Sequence, residues 1–229
     1  MAIHELYKIT VTKMKYTLAF DIERSGCSKQ YDTIGIGASV VDSNFNELDN
    51  LFLQGYSQKE TKFEQRCWDE FWIKNQESLK KLEYTGNLNY KERQFEMISI
   101  FQEFRKKWEI IAKSNGYELD LVSDGCVFDS GFINEMIFEH LPETLPIPYS
   151  ASIQEFSPFY DTTSEIKGLL SVIDPSFKQN WGYSKRLYEL YDVPIFDKKH
   201  DNNPANDAFT IAVQHQIVLN IRDKKIILK

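Results

Sequence analysis

The first strong pattern along the chain is an alternation of apolar and polar positions over residues 16–26, YTLAFDIERSG. In a β-strand, successive side chains point to opposite faces, so Leu18, Phe20 and Ile22 would share one face. Asp21 and Glu23 would share the other face, with Cα atoms roughly 7 Å apart. This segment therefore predicts a strand that is apolar on one side and carries two carboxylates on the other.

After this first strand, further patterns predict three more strands and a helical segment. Alternating apolar residues predict strands over 33–42 and 48–56, and short connections make these an antiparallel meander with the first strand. Residues 57–115 are predicted to be mostly helical, with a break at 85–87 and a stop at Asn115-Gly116. A short buried strand, ELDLVS, is predicted over 118–123.

The last part of the chain alternates loops with helices. Helices are predicted over 128–140, 162–173, 184–191 and 205–221, and a strand end over 159–161. Thr162 to Glu165 has the form of a capping box, with Asp161 as part of the cap. This order predicts an α/β fold with a mixed central sheet and helices on both faces. Residues 1–229 would form one domain, with 1–15 as an N-terminal extension that includes an edge strand over 7–12, and with 57–115 as a helical segment after the third strand.

Composition excludes several classes of protein. Hydrophobic residues make up 42% and aromatic residues 14%, which favours a packed core over disorder. No apolar run approaches the roughly 20 residues of a membrane span, and no secretory signal is visible, so we expect an intracellular, cytoplasmic protein without a membrane partner. The cysteines are three, Cys27, Cys67 and Cys126, which fits neither a disulfide framework nor a thiolate zinc site. The net charge of −7 has the wrong sign for bulk electrostatic binding of nucleic acid, although a few phosphates could still be held through metal ions.

The paired carboxylates Asp21 and Glu23 are the first candidate site. Two unit charges about 4 Å apart repel by roughly 4 kcal/mol at an effective dielectric constant of about 20, before any cost of desolvation. The sequence must supply a cation, a shared proton or exposure to solvent, and a hard divalent cation prefers such oxygen ligands. A strand end with two solvated acids is the simpler interpretation of this segment alone.

Two acidic segments further along the chain extend the pattern: VFDSGFI with Asp129, and HDNNPANDA with His200 and Asp207. Together with DIERSG and IGIGA, they resemble the DEDD superfamily of 3′-to-5′ exonucleases, in the branch with a histidine in its third motif. That branch includes ribonuclease T, oligoribonuclease and proofreading exonucleases. The resemblance covers residues 16–221 and implies a ribonuclease-H-like fold.

The resemblance also implies a role for each matching residue. Asp21, Glu23 and Asp207 would bind one divalent cation, Mg²⁺ or Mn²⁺. Asp21 would bridge to a second cation, which Asp129 would support. His200 would be the general base, and Ser25 and Gly26 would let the backbone approach the terminal nucleotide. The resemblance thus implies that His200 is catalytic and that Ser25 and Gly26 bind the substrate.

The third motif departs from the family, because His200 lies seven residues before Asp207 where relatives have five, and Asn202 holds the five-back position. Asp124, where many relatives have Asn, is a rival for Asp129. The remaining histidines, His4, His140 and His215, are interpreted as structural. Trp68 and Trp72 suit base stacking, but their helical spacing favours the core.

The resemblance implies an enzyme that releases nucleoside 5′-monophosphates from the 3′ end of single-stranded RNA or DNA, and relatives are often homodimers. Two alternatives remain open. One is a non-catalytic nucleic-acid- or protein-interaction module on the same fold, which the displaced histidine and the acidic charge would suit. The other is an endonuclease with a ribonuclease-H-like fold, which the positions of Asp129 and His200 disfavour.

Overall fold

The computed structural model describes residues 14–141, 159–174, 183–190 and 202–223, apart from the side chains of residues 126, 127 and 159. Five strands of this part form one mixed sheet in the order β3-β2-β1-β4-β5. They are β1 (Lys15–Arg24), β2 (Thr33–Val41), β3 (Glu47–Gln54), β4 (Glu118–Ser123) and β5 (Phe159–Asp161). The first three strands are antiparallel neighbours, and β4 and β5 run parallel to β1. The predicted α/β class and the predicted meander are therefore confirmed.

Helices flank this sheet. They are α1 (Gln65–Glu70), α2 (Gln76–Lys81), α3 (Tyr90–Ser114), α4 (Gly131–His140), α5 (Thr162–Ile173), α6 (Tyr183–Leu190) and α7 (Pro204–Arg222). The broad helical segment predicted over 57–115 is only partly helical, since two short helices and a 3₁₀ turn precede the long α3. The break predicted at 85–87 and the stop predicted at Asn115-Gly116 are confirmed, and Gly116 has a φ of 70°. None of the described helices combines the length and the apolar composition that a bilayer-spanning helix needs.

The two faces of the sheet pack against different helices. Leu18, Phe20 and Ile22 of β1 belong to a buried apolar cluster with residues of α3 and α4. Ala19 of β1 and Val122 of β4 belong to a second cluster, formed with α5, α6 and α7. The predicted alternation along β1 is thus confirmed, and the face that carries Asp21 and Glu23 is the face that α7 covers.

Trp72 fixes the carboxyl end of β1. Its side chain is fully buried, and its indole Nε1 donates a hydrogen bond to the backbone oxygen of Arg24 at 2.9 Å. Trp68 lies beside it, partly buried, with its ring 4.9 Å from that of Phe63. The interpretation of this pair as core residues is confirmed for Trp72.

The helix predicted over 162–173 and the place of Asp161 in its cap are confirmed: Asp161 Oδ1 accepts a hydrogen bond from the Ser164 backbone at 2.8 Å, and Thr162 is the first helical residue rather than the cap of a capping box. The start of one other helix differs from the sequence prediction. The helix predicted over 128–140 begins with a wide π-helical turn, Cys126–Ser130, and becomes α-helical only at Gly131. The extra residue that a π-turn accommodates is a feature that apolar periodicity does not reveal.

A buried ionic network lies between β4 and α7, on the same face as Ala19. Asp120 Oδ1 forms an ion pair with Nζ of Lys15 at 3.0 Å, and Asp120 Oδ2 lies 3.2 Å from Nε2 of His215. Nδ1 of His215 is 2.8 Å from a carboxylate oxygen of Glu165. We call Lys15, Asp120, Glu165 and His215 the His215 network. It gives His215 the structural position that was predicted for it.

Candidate metal centre

Asp21 and Glu23 lie near the carboxyl end of β1, on the face covered by α7. In the antiparallel pair with β2, Asp21 is opposite Gly37 and Glu23 is opposite Gly35. Residues directly opposite each other in such a pair share a face of the sheet. The two carboxylates therefore lie beside two positions that have no side chain, which leaves space above the sheet.

The first turn of α7 occupies that space. A Cβ atom built on Gly37 would lie 2.0 Å from the carbonyl carbon of Pro204 and 2.1 Å from the nitrogen of Ala205, so only glycine permits this approach. Pro204 suits the first turn because it needs no amide donor there, and Asn203 caps the helix by accepting a hydrogen bond from Ala205 N at 3.0 Å. This packing carries Asp207 to the acids of β1.

The parallel strand β4 brings a third segment to the same place. Its register pairs Ala19 with Val122, and continuing it by two residues places Asp124 beside Asp21. The π-helical turn that follows returns the chain over this strand end. Within it the backbone nitrogen of Asp129 donates to the oxygen of Gly125 at 2.8 Å. Asp129 thus lies in the π-helical turn that follows β4, before the α-helix begins at Gly131.

Five carboxylates converge from these three segments in two overlapping groups. Asp21, Glu23 and Asp207 each place one oxygen so that all three lie within 4.8 Å of one another. Asp21, Asp124 and Asp129 do the same. Asp21 is common to both groups, and we call the five residues the acidic cluster. The sequence prediction named four of these acids as ligands, and the described structure brings all four together.

Electrostatics in the acidic cluster disfavour full ionisation in the metal-free protein. Burial, followed by the charges of Asp129 and Glu23, raises the pKa of Asp21 well above its ordinary value. Burial, followed by the charge of Asp124, raises the pKa of Asp129 to about 8, although a backbone hydrogen bond at Gly125 opposes this. The Asp129 side chain is only 4% exposed, and its Oδ2 has no hydrogen-bonding donor among the described residues.

These donors fit a hard divalent cation. Mg²⁺ and Mn²⁺ prefer carboxylate oxygens, and a positive charge would remove the penalty that burial and mutual repulsion impose on Asp21 and Asp129. A buried carboxylate oxygen without a donor is costly, and binding to a metal is one way to satisfy it. The arrangement can therefore hold metal ions through oxygen ligands, with Asp21 able to bridge two of them.

Ser25 and Gly26, the predicted substrate-binding residues, are buried in the loop after β1. The hydroxyl of Ser25 accepts a hydrogen bond from the backbone of Asp32 at 2.8 Å. A Cβ atom on Gly26 would lie 2.5 Å from the ring of Tyr31, so the loop requires glycine for its own packing. Both residues follow the strand that carries Asp21 and Glu23, and their role toward a substrate stays a prediction.

His200, the predicted general base, lies outside the described residues. Asn202, its rival by spacing, has a φ of 53°, and its side-chain amide donates to Ser78 Oγ at 3.4 Å. This left-handed conformation is one that asparagine adopts more readily than most residues. The role of His200 as general base stays a prediction.

Sequence reasoning missed two features of this centre. Gly37 belongs to the IGIGA segment that carries part of the resemblance, but its contact with α7 could not be found without the helix. Asp124 was set against Asp129 as a competitor, yet both belong to the acidic cluster. The signal that could have found Asp124 was the expectation that the carboxyl ends of adjacent parallel strands meet at one edge of the sheet.

Neither the protein-family models nor the curated proteins with which the chain was compared gave a match.

Proposed function

We propose that this protein is a metal-dependent 3′-to-5′ exonuclease that releases nucleoside 5′-monophosphates from single-stranded RNA or DNA. The observation that carries the proposal is the shared position of Asp21. One carboxylate belongs to two groups of oxygens, each compact enough for one cation. This is the arrangement that two divalent cations about 4 Å apart would need in order to bind one phosphodiester between them.

The order of elements also supports the proposal. The resemblance to DEDD exonucleases implies a ribonuclease-H-like sheet in which a meander is followed by helices, another strand and more helices. The described fold has this order, and its three acidic segments lie on β1, directly after β4 and in the first turns of α7. Segments more than 75 residues apart in sequence thus meet at one end of the sheet, which a set of unrelated solvated acids would not require.

Each residue has a proposed role. Asp21, Glu23 and Asp207 would hold one cation, and Asp21 with Asp129 would hold the second. When bound, Mg²⁺ or Mn²⁺ would activate a water and stabilise the charge that develops on the phosphate oxygens. His200 accepts the proton of the attacking water, a task for which a histidine with a pKa near 6.5 is suited. Ser25 and Gly26 border the 3′-terminal nucleotide through their backbone.

Asp21→Asn tests this proposal most directly. We expect it to reduce exonuclease activity by about 10²-fold or more, because it removes a charged oxygen from both groups at once. The measurement is a gel time course with 5′-labelled single-stranded RNA and DNA of one sequence, in Mg²⁺, Mn²⁺ or EDTA. Asp69→Asn is the matched control, since Asp69 is an exposed acid on α1 outside the acidic cluster.

A metal-dependent ladder that shortens from the 3′ end, is lost in Asp21→Asn and survives in Asp69→Asn would support the proposal and identify the preferred sugar. No ladder on either strand, under conditions in which a known nuclease works, would contradict it and favour a non-catalytic interaction module. Cleavage of a circular strand would instead favour an endonuclease.

A further inference from the structure

Asp124 is the member of the acidic cluster to which neither cation has been assigned. It follows β4 directly, in a position that the parallel register with β1 places next to Asp21. One of its oxygens lies within 4.8 Å of oxygens of both Asp21 and Asp129. Its position therefore depends on the pairing of β1 and β4, two neighbouring strands of the sheet.

The second feature is the unsatisfied oxygen of Asp129. The side chain is more than nine-tenths buried, and Oδ2 finds no donor in the described part of the chain. Asp124 is an acid too, so a hydrogen bond between these two carboxyl groups requires a proton held between them. A divalent cation would satisfy the same oxygen and attract all three carboxylates at once.

We propose that Asp124 is a direct ligand of the second divalent cation, so that this ion is held by three carboxylates, those of Asp21, Asp124 and Asp129. The inference deepens the proposed function by adding a ligand to the same centre, but it rests on cation binding alone and not on nuclease activity. A third carboxylate adds one more negatively charged oxygen ligand. The second site therefore binds its ion more tightly than a site with only Asp21 and Asp129 would.

Calorimetric titration of the metal-free protein with Mn²⁺ at neutral pH tests the inference. We expect Asp124→Asn to weaken the second binding event by about 10-fold or more, since even outer-shell changes at metal sites cost about 10- to 100-fold in affinity. Asp124→Glu, which keeps a carboxylate, should retain affinity within a few-fold. Asp124→Ser is measured in parallel as a second variant without a carboxylate, and circular dichroism checks that each variant is folded.

Asp161→Asn is the control for simple loss of a nearby negative charge. The charge of Asp161 acts on Asp129 through space, yet Asp161 is not part of either oxygen group. Its structural role is to cap α5, and asparagine caps helices about as well as aspartate does. We expect this variant to change Mn²⁺ affinity by less than about threefold.

A shared proton between Asp124 and Asp129 is the competing explanation. Asparagine at position 124 would then donate a hydrogen bond to Asp129, and the affinity of Asp124→Asn for Mn²⁺ would equal or exceed that of the unmodified chain. That result, an effect no larger than that of Asp161→Asn, or no Mn²⁺ binding by the unmodified chain would overturn the inference. If Mn²⁺ binds as expected but no exonuclease ladder appears, the inference stands and the proposed function fails.

Discussion

Two groups of carboxylates lie on the same face of the sheet, and the charges around them differ. In the His215 network, Asp120 meets Lys15 at 3.0 Å and His215 at 3.2 Å. In the acidic cluster, the charges that act most strongly on Asp21 are those of four other carboxylates. The fold thus supplies cations to one buried acid on this face and surrounds another with further acids.

The same two elements contribute to both groups. Helix α7 carries Asp207 at its start and His215 eight residues later, about 12 Å along its axis. Strand β4 carries Asp120, and Asp124 follows four residues on, about 13 Å along the strand direction. Over this short distance, the neighbours of the carboxylates change from a histidine, in the His215 network, to other carboxylates, in the acidic cluster. In the part of the chain that the structure describes, the charges that act most strongly on Asp21 are negative, which is the setting in which the proposed cations would bind.

The pKa shifts have opposite meanings in the two groups. Burial alone would lower the pKa of His215, but hydrogen bonds to Asp120 and Glu165 outweigh it, so the pKa is raised. The charged form of His215 is therefore stabilised by its neighbours. At Asp129 burial and the Asp124 charge both raise the pKa, which disfavours the charged form. The first group pairs its acids with cationic side chains, whereas burial and like charge in the second favour a bound proton or the proposed cation.

The largest loss of stability is expected when the His215 network is broken. His215→Leu fills a similar volume but leaves Asp120 buried with Lys15 as its remaining cation, so we expect the free energy of unfolding to fall by about 3–5 kcal/mol. Urea unfolding with and without Mn²⁺ measures this. The stabilisation gained on adding Mn²⁺ should be unchanged, because His215 is not part of the acidic cluster. A loss below about 1 kcal/mol would show that the network contributes little.

A smaller loss of stability is expected when α7, which carries Asp207, is shifted without any change in the charge of the acidic cluster. Gly37→Ala places a methyl group within 2.0 Å of the Pro204 backbone, so α7 must shift at the end that carries Asp207. We expect a loss of about 1–3 kcal/mol in stability together with weaker Mn²⁺ binding. Gly168→Ala in α5 is the control, since nothing lies within 4 Å of a Cβ atom there. If Gly37→Ala lost stability but bound Mn²⁺ as before, the packing of α7 would not position the metal ligands.

The sequence predicted the parts of this comparison that depend on local pattern. The alternation in residues 16–26 was enough to place Asp21 and Glu23 on one face of a strand, and helical spacing placed Asp207 and His215 on one helix. It did not pair Asp120 with His215, because that contact depends on how α7 lies across the sheet. The membership of Asp124 depends on the register between β1 and β4, which local patterns do not specify.

The predicted choice between Asp124 and Asp129 shows the same limit. Linear spacing forces two acids five residues apart to compete for one position in a motif. The π-helical turn Cys126–Ser130 resolves the competition, because it returns the chain so that both carboxylates face Asp21. Turns of this kind arise from local crowding and tertiary contacts, and they leave no apolar period to read.

The last expected effect is a pH-dependent difference in stability between the metal-free protein and Asp129→Asn. In the unfolded chain an aspartate releases its proton near pH 4, whereas in the folded protein the pKa of Asp129 is about 8. Between these values the folded state holds a proton that the unfolded state has lost, so stability falls as the pH rises. Asparagine resembles the protonated form and does not titrate. In EDTA, Asp129→Asn should therefore match the unmodified chain near pH 4 and exceed its stability by at least about 1 kcal/mol at pH 8.

The His215 network also titrates over part of this range, and its contribution has the same sign. Because the pKa of His215 is raised in the folded state, its contribution is fully present below about pH 6.5 and is lost as the pH rises through the folded value. Lys15, Asp120, Glu165 and Tyr160 face it in both proteins, so this contribution cancels in the difference between them. Urea unfolding at several pH values measures that difference. A gap that stays constant with pH would mean that Asp129 is ionised in the metal-free protein, and that the acidic cluster is compensated within the chain after all.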